Sequence, residues 1–347
     1  MGIEMIKSKV IILVFTLIFL AGCFPSSDLS KQEVLLQGRT MGTTYNIKVV
    51  IKDNEVDTQQ LHTGIDALLV QLNQEMSTYI DDSELSRFNK SSSLAPIEIS
   101  VGLTRVIKEA IRLGQLSAGK LDVTVGPLVN LWGFGPEYRP DTIPSDEALL
   151  AARQRIGLAE LTLTGNKLSK KIPNLYVDLS TIAKGYGVDI VAEYLEEKGI
   201  NNYLIEIGGE MRLQGFKHTG ELWHVAIEKP IQDPTGEHRS VHQVIIPKNN
   251  AVATSGDYRN YYEADGQRFS HIIDPSTGKP INHKLVSVTV IHPSSMTADG
   301  LSTAMMVMGE EKAIAFAEEN DIAAYIIAKT DHGFVEQSTV KFMQYLK

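Results

Sequence analysis

Val177-Asp178-Leu179-Ser180-Thr181-Ile182-Ala183-Lys184-Gly185-Tyr186-Gly187 is the stretch from which the fold is read. Tyr176-Val177-Asp178-Leu179 predicts a short strand. After a turn of small residues, Val188, Val191 and Leu195 predict a helix by their spacing, and Gly199 is placed to end it just past the cap. Downstream, strands are predicted at Tyr203–Ile207, Trp223–Ile227, Val241–Ile246, Tyr258–Tyr262 and Val286–Ile291. Helices return at Leu301–Met308 and Glu311–Glu319. Upstream, Tyr45–Ile51 alternates as a half-buried strand, and Leu61, Ile65, Leu68, Leu72 and Met76 follow helical spacing. A second helix carries Leu103, Val106, Ile107, Ala110 and Ile111, and Ser145-Asp146-Glu147 opens a third. Strands and helices therefore mix without the regular alternation of a parallel sheet, which points to an α+β fold with largely antiparallel sheets. The intervening Gly126-Pro127 and Gly133-Phe134-Gly135-Pro136 read as a loop, with Trp132 and Phe134 packing it.

The N-terminus assigns a compartment independently of the fold. Lys7 and Lys9 precede the apolar run Val10 to Leu20, which ends in Leu20-Ala21-Gly22-Cys23, the pattern of a signal peptide with a lipidation site. The run is too short for the ~20 apolar residues of a membrane-spanning helix. Residues 1–22 are thus expected to be removed and Cys23 acylated, with 23–37 as tether and 38–347 as catalytic domain. The expected location is the cell membrane, facing the periplasm, the inner membrane being favoured over the outer. Cys23 is the only cysteine, so an anchored chain has no thiolate nucleophile and no cysteine metal site. The net charge of −9 argues against a nucleic-acid partner, which needs clustered Lys and Arg.

Three clusters carry chemistry. In the first, a strand ends in Asp178 and Lys184 stands at a helix start, a layout in which backbone N–H groups and an ammonium can face a phosphate. A tight turn with a solvated lysine explains the same residues. In the second, Asp299 and Thr303 lie four apart on one helix face if Thr297 caps the helix. A carboxylate and a hydroxyl so placed suit Mg²⁺, although an acidic first turn is the plainer account. In the third, His271 leads from a strand into the turn Asp274-Pro275-Ser276-Thr277-Gly278, where a structural histidine competes with a base. Thr254-Ser255-Gly256-Asp257-Tyr258 and Gly208-Gly209-Glu210 add two further strand-end turns.

These segments, preceded by Met41-Gly42-Thr43-Thr44-Tyr45, Met76-Ser77-Thr78-Tyr79 and Leu121-Asp122-Val123-Thr124-Val125-Gly126-Pro127, resemble in their order the ApbE family of FAD:protein FMN transferases. The resemblance implies two intimately packed lobes with FAD between them. It places Met41, Tyr79, Lys120, Leu121, Asp122, Asp178, Lys184, Gly256, Asp257 and Ile272 at the flavin nucleotide. It places Thr181, Asp299 and Thr303 at a Mg²⁺ ion, Thr181 through its backbone carbonyl, and makes His271 the candidate base; without His271 the role would pass to a carboxylate such as Asp257 or Asp274. Many members carry Gly or Ala where Ser180 and Thr181 stand. The reaction implied is transfer of the FMN half of FAD to a threonine hydroxyl of an acceptor, with release of AMP. The partners implied are exported flavin-acceptor domains of membrane redox complexes. An FAD pyrophosphatase, giving FMN and AMP, and a non-catalytic FAD-binding lipoprotein remain open on these motifs.

Overall fold

The computed structural model describes residues 31–52, 56–135, 143–231, 240–258, 261–264 and 267–347. The signal peptide and Cys23 lie outside them. A hairpin comes first: β1 (Lys31–Thr40) and β2 (Thr43–Lys52) pair antiparallel along their whole length. The loop residues Met41 and Gly42 both have positive φ, 49° and 71°, the conformation that matches strand twist in a two-residue turn. Residues 31–37, expected as tether, are therefore strand. Leu36 is buried while Leu35 is exposed, an alternation that only a paired neighbour with its own apolar face makes worthwhile.

Helices α1 (Thr58–Met76) and α2 (Glu84–Lys90), strand β3 (Ile97–Glu98) and helix α3 (Val101–Leu116) follow. Asp57, Ser83 and Ser100 cap the three helices, each accepting a bond from an otherwise unpaired backbone N–H. Short α4 (Gly126–Leu131) and α5 (Asp146–Arg153) come next, so part of the expected loop is helical, and then β4 (Leu161–Thr164) and β5 (Lys167–Lys170).

The segment 176–179 is extended but is not a strand. Its N–H groups are already used: Val177 donates to the side chain of Asn89 at 2.8 Å and Asp178 to the carbonyl of Val123 at 2.7 Å. Helix α6 (Ala183–Glu197) follows it and ends as predicted, with Lys198 at the cap and Gly199 at φ 78°.

The second half is strand-rich. It runs through β6 (Tyr203–Ile207), β7 (Glu210–Gln214), β8 (Val225–Glu228), β9 (Val241–Ile245), β10 (Ala251–Gly256), β11 (Tyr261–Ala264) and β12 (Gln267–Ser270). It continues with β13 (Ile273–Asp274), β14 (Lys279–Pro280), β15 (Leu285–His292), α7 (Ser295–Met308), α8 (Glu310–Glu319), β16 (Ala323–Thr330) and β17 (Gly333–Ser338). Helix α7 starts before the residue expected to cap it. Ser294 takes that place, accepting from the N–H of Thr297, so Asp299 and Thr303 sit one turn deeper in the helix.

Eight strands form one sheet in the order β1-β2-β6-β7-β10-β15-β16-β17, and every pair in it is antiparallel. One face packs on α3, α6 and α7 through Val106, Ile107, Ile182, Leu301, Val288 and Val290. The other is covered by the β8–β9 hairpin and the C-terminal turn through Trp223, Val225, Ile227, Tyr325 and Phe342. A smaller lobe holds α4 and α5 against β12 and β13. Its core is Leu128, Trp132, Leu149 and Ile273, with Trp132 stacked on Phe269 at 5.4 Å. The α+β assignment and the antiparallel sheet hold. Among the described residues no helix is long and apolar enough to cross a membrane.

Helices α6 and α7 cross at Gly185, where a Cβ would land on the Ser295 carbonyl. Gly185→Ala should gain about 1 kcal/mol of helix propensity but lose about 1–3 to overpacking against backbone that cannot yield. A net loss near 1 kcal/mol is expected in the denaturant midpoint, and an unchanged or higher midpoint would show that the crossing is not tight.

Candidate active site

A cleft of about 1330 Å³ collects the ends of these elements. The β1–β2 turn brings Met41. The loop after α1 brings Tyr79, which is 70% exposed, and the turn after α3 brings Lys120, Leu121 and Asp122. Asp122 is fixed by its own loop, accepting from the Thr124 N–H at 2.8 Å and hydroxyl at 2.6 Å. Lys120 reaches across to the smaller lobe, 3.2 Å from both carboxylate oxygens of Asp274.

Asp178 lies at the end of the extended segment and is buried. Burial raises its carboxyl above the ordinary range, although the Ser180 N–H, at 2.9 Å, pulls the other way. Thr181 follows, and its buried Oγ1 finds no hydrogen-bond partner among the described residues. Lys184 points into the cleft from the first turn of α6 and pairs with Glu210. Burial alone would discharge this lysine, but Glu210 and then Asp299 more than offset that, and its affinity for the proton ends above the ordinary value. Of the first three N–H groups of α6, Ala183 donates to Leu179 and Gly185 to Asp299 at 3.0 Å. The open helix terminus expected for a phosphate is thus largely spent within the protein.

Asp299 is 3% exposed. Burial first, and the Glu210 carboxylate second, raise its pKa far above the usual range, only partly relieved by Lys184. Thr303 lies one turn on, with its hydroxyl 3.2 Å from Ser255. Among the described residues no three His, Cys, Asp or Glu side chains gather to hold a metal. A hard cation that keeps water fits nonetheless. It needs few protein oxygens, and the Asp299 carboxylate, the Thr303 hydroxyl and the uncompensated oxygens of Thr181 and Glu210 supply them.

His271 and Ile272 line the cleft from the turn between β12 and β13, with the Phe134 ring 6.3 Å from the imidazole at 68°. Gly256 lines it at the end of β10. Asp257 does not: its N–H donates to Val286, and its carboxylate turns to Arg268 at 3.7 Å. Asp274 is likewise engaged, by Lys120 and by Ser276 at 2.6 Å, so neither alternative base faces the cleft freely. Apart from Cys23, which lies outside the described residues, the remaining site residues named from the sequence meet there.

Glu210 had no role assigned from the sequence. It is 4% exposed, and one of its carboxylate oxygens meets no donor among the described residues other than the neighbouring Asp299 carboxyl when that is protonated. The signal was present in Gly208-Gly209-Glu210, since φ of 58° and 104° at the two glycines aims Glu210 back at α6.

The electrostatic balance of the cleft narrows its ligands. Asp122, Asp178, Glu206, Glu210, Glu228 and Asp299 line it against Lys120 and Lys184. A phosphorylated ligand would meet this acidic lining only together with a cation that neutralises it.

Relatives share this architecture. An FAD:protein FMN transferase of Vibrio cholerae is 56% identical over 331 residues, covering 95% of this chain and 97% of that protein. One of Escherichia coli is 40% identical over 95% of both chains. The solved flavin transferase ApbE of Vibrio cholerae superposes with a TM-score of 0.85 at 55% identity, covering 91% of this chain and all of that one. The flavinyl transferase ApbE of Pseudomonas stutzeri, in its apo form, gives 0.83 at 39% identity over 91% and 97%. The ApbE family pattern matches residues 41–326, and with the eight-stranded sheet and the cleft in place, the chain belongs to the ApbE family.

Proposed function

We propose that this chain transfers the FMN moiety of FAD to a threonine hydroxyl of an acceptor protein and releases AMP, with Mg²⁺ bound at Asp299, Thr303 and Thr181. The observation that carries the reading is the pairing of an acidic cleft with uncompensated buried oxygens at Thr181 and Glu210, in a chain 56% identical to an FAD:protein FMN transferase. The acceptor hydroxyl attacks the phosphorus on the FMN side. The bond from that phosphorus to the oxygen shared with the AMP phosphate breaks, so one phosphoester forms as one anhydride is lost. His271 takes the proton of the attacking hydroxyl. Lys184, kept charged by Glu210, stabilises negative charge on the phosphates. A bound divalent cation would supply charge neutralisation at the pyrophosphate.

Incubating the protein with FAD and Mg²⁺, with and without an acceptor domain, tests this. Flavin that stays on the denatured acceptor, with one AMP per flavin, is expected. Free FMN and AMP in equal amounts with no labelled acceptor would make the enzyme a pyrophosphatase, and intact bound FAD would make it a carrier.

The reading extends to location. The N-terminal pattern supports a lipid anchor at Cys23 on the periplasmic side, the acceptors being exported domains of membrane redox complexes. Cys23→Ser should leave the precursor uncleaved and free of acyl chains when labelled with a fatty acid. A variant that still incorporates label would remove the anchor assignment.

A further inference from the structure

Three hydroxyls link β10 to α7 at the edge of the cleft. Ala253 packs into the core beneath α7, and Ser255, two residues on along the strand, points to the same face. The Ser255 Oγ lies 2.8 Å from the Oγ of Ser302 and 3.2 Å from the Oγ1 of Thr303. Ser302 in turn donates to the backbone carbonyl of Asp299 at 2.9 Å.

The carbonyl at the end of this chain fixes the direction of every bond in it. A hydroxyl has one proton to give and two lone pairs with which to accept. A carbonyl only accepts, so the Ser302 proton is committed to Asp299. Ser302 therefore accepts from Ser255, and the Ser255 proton is committed in turn. Ser255 is left to accept from Thr303. The reverse order would ask Ser302 for two protons.

The consequence falls on Thr303. Its proton is turned toward Ser255, and its lone pairs are left for the cleft, which Thr303 lines. A freely rotating threonine hydroxyl serves an anion as donor or a cation as ligand. Held in this sense it serves the cation. Ser302 itself is fully buried and is not one of the residues lining the cleft, so it acts there only through its neighbours.

We propose that Ser302 and Ser255 are positioning residues for cation binding, their relay directing the lone pairs of the Thr303 hydroxyl at the ion and holding its proton away. The inference rests on the placement of Mg²⁺ at Asp299, Thr303 and Thr181 above. Groups that orient a metal ligand without touching the metal carry ~10–100-fold in affinity. Because the relay ends on the backbone of Asp299, it also ties the two side-chain ligands of α7 to one frame.

The test is a calorimetric titration of Mg²⁺ alone into the full chain. Ser302→Ala should weaken binding about tenfold, although its side chain does not reach the cleft, because the Ser255 proton is then free to turn on Thr303. Ser255→Ala should weaken it similarly, and Ser255→Thr, which keeps the hydroxyl, should restore it. A general loosening of α7 would also weaken binding, and Thr303→Val separates the two accounts. With no hydroxyl left to orient, Ser302→Ala should cost nothing further in that background, whereas a loosened helix would cost the same again. Unchanged Mg²⁺ affinity in Ser302→Ala, or a fully additive loss in the double variant, would overturn the relay. A Thr303→Val protein that binds Mg²⁺ like the parent would instead overturn the placement of the cation, and the relay with it.

Discussion

Asp299→Asn is expected to lower flavin transfer on the order of 10³-fold, since charge neutralisation by a metal is worth several kcal/mol and each 1.4 kcal/mol is a factor of ten. Asparagine is the informative change because it keeps an oxygen for the Gly185 N–H, 3.0 Å away, and removes only the charge. Without cation the variant should be at least as stable as the parent, because the parent buries Asp299 beside Glu210 with Lys184 as partial compensation. With Mg²⁺ the order should reverse: the parent gains thermal stability on adding the ion, and the variant gains little. Calorimetric titration of Mg²⁺ separates this from a folding defect. Retained transfer with unchanged Mg²⁺ dependence would place the cation elsewhere.

His271→Asn is expected to reduce transfer by ~10²–10⁴, the range for loss of a general base, while FAD still binds. The competing account is structural. His271 stands between buried Ser270 and Ile272, beside Phe134, in a turn that also carries the Asp274 partner of Lys120. If it only holds that turn, the substitution should weaken FAD binding and lower stability without changing the rate at saturation. Single-turnover transfer at saturating FAD, Mg²⁺ and acceptor divides the two, and an unchanged rate there removes His271 from the chemistry.

Local pattern and long-range pairing were unequally legible in the sequence. Val188, Val191 and Leu195 marked α6 because three apolar residues on one helix face suffice, and Gly199 ended it because a left-handed residue follows the cap there. The segment 176–179 misled because apolar residues that are extended look alike whether a neighbouring strand or, as here, an Asn89 side chain satisfies the backbone. Lys31–Gln37 misled for the opposite reason. Polar and mixed in composition, it becomes strand only because β2 lies beside it. The site was legible as an ordered set of motifs, whereas the place of Glu210 beside Lys184 depends on which elements meet across the cleft.

The pairing of β2 with β6 has a kinetic consequence. Tyr45 lies opposite Ile207, and helices α1 to α6 separate the two strands in sequence. The β1–β2 hairpin needs only a two-residue turn and can form as soon as residue 52 is free, but the far side of β2 then waits as an unpaired edge until β6 has been made. High contact order of this kind slows folding, and a waiting edge is a template for pairing with another molecule. Refolding at high protein concentration should therefore lose yield to association before the β6 region closes the sheet, and its productive phase should be slow even where the native state is stable.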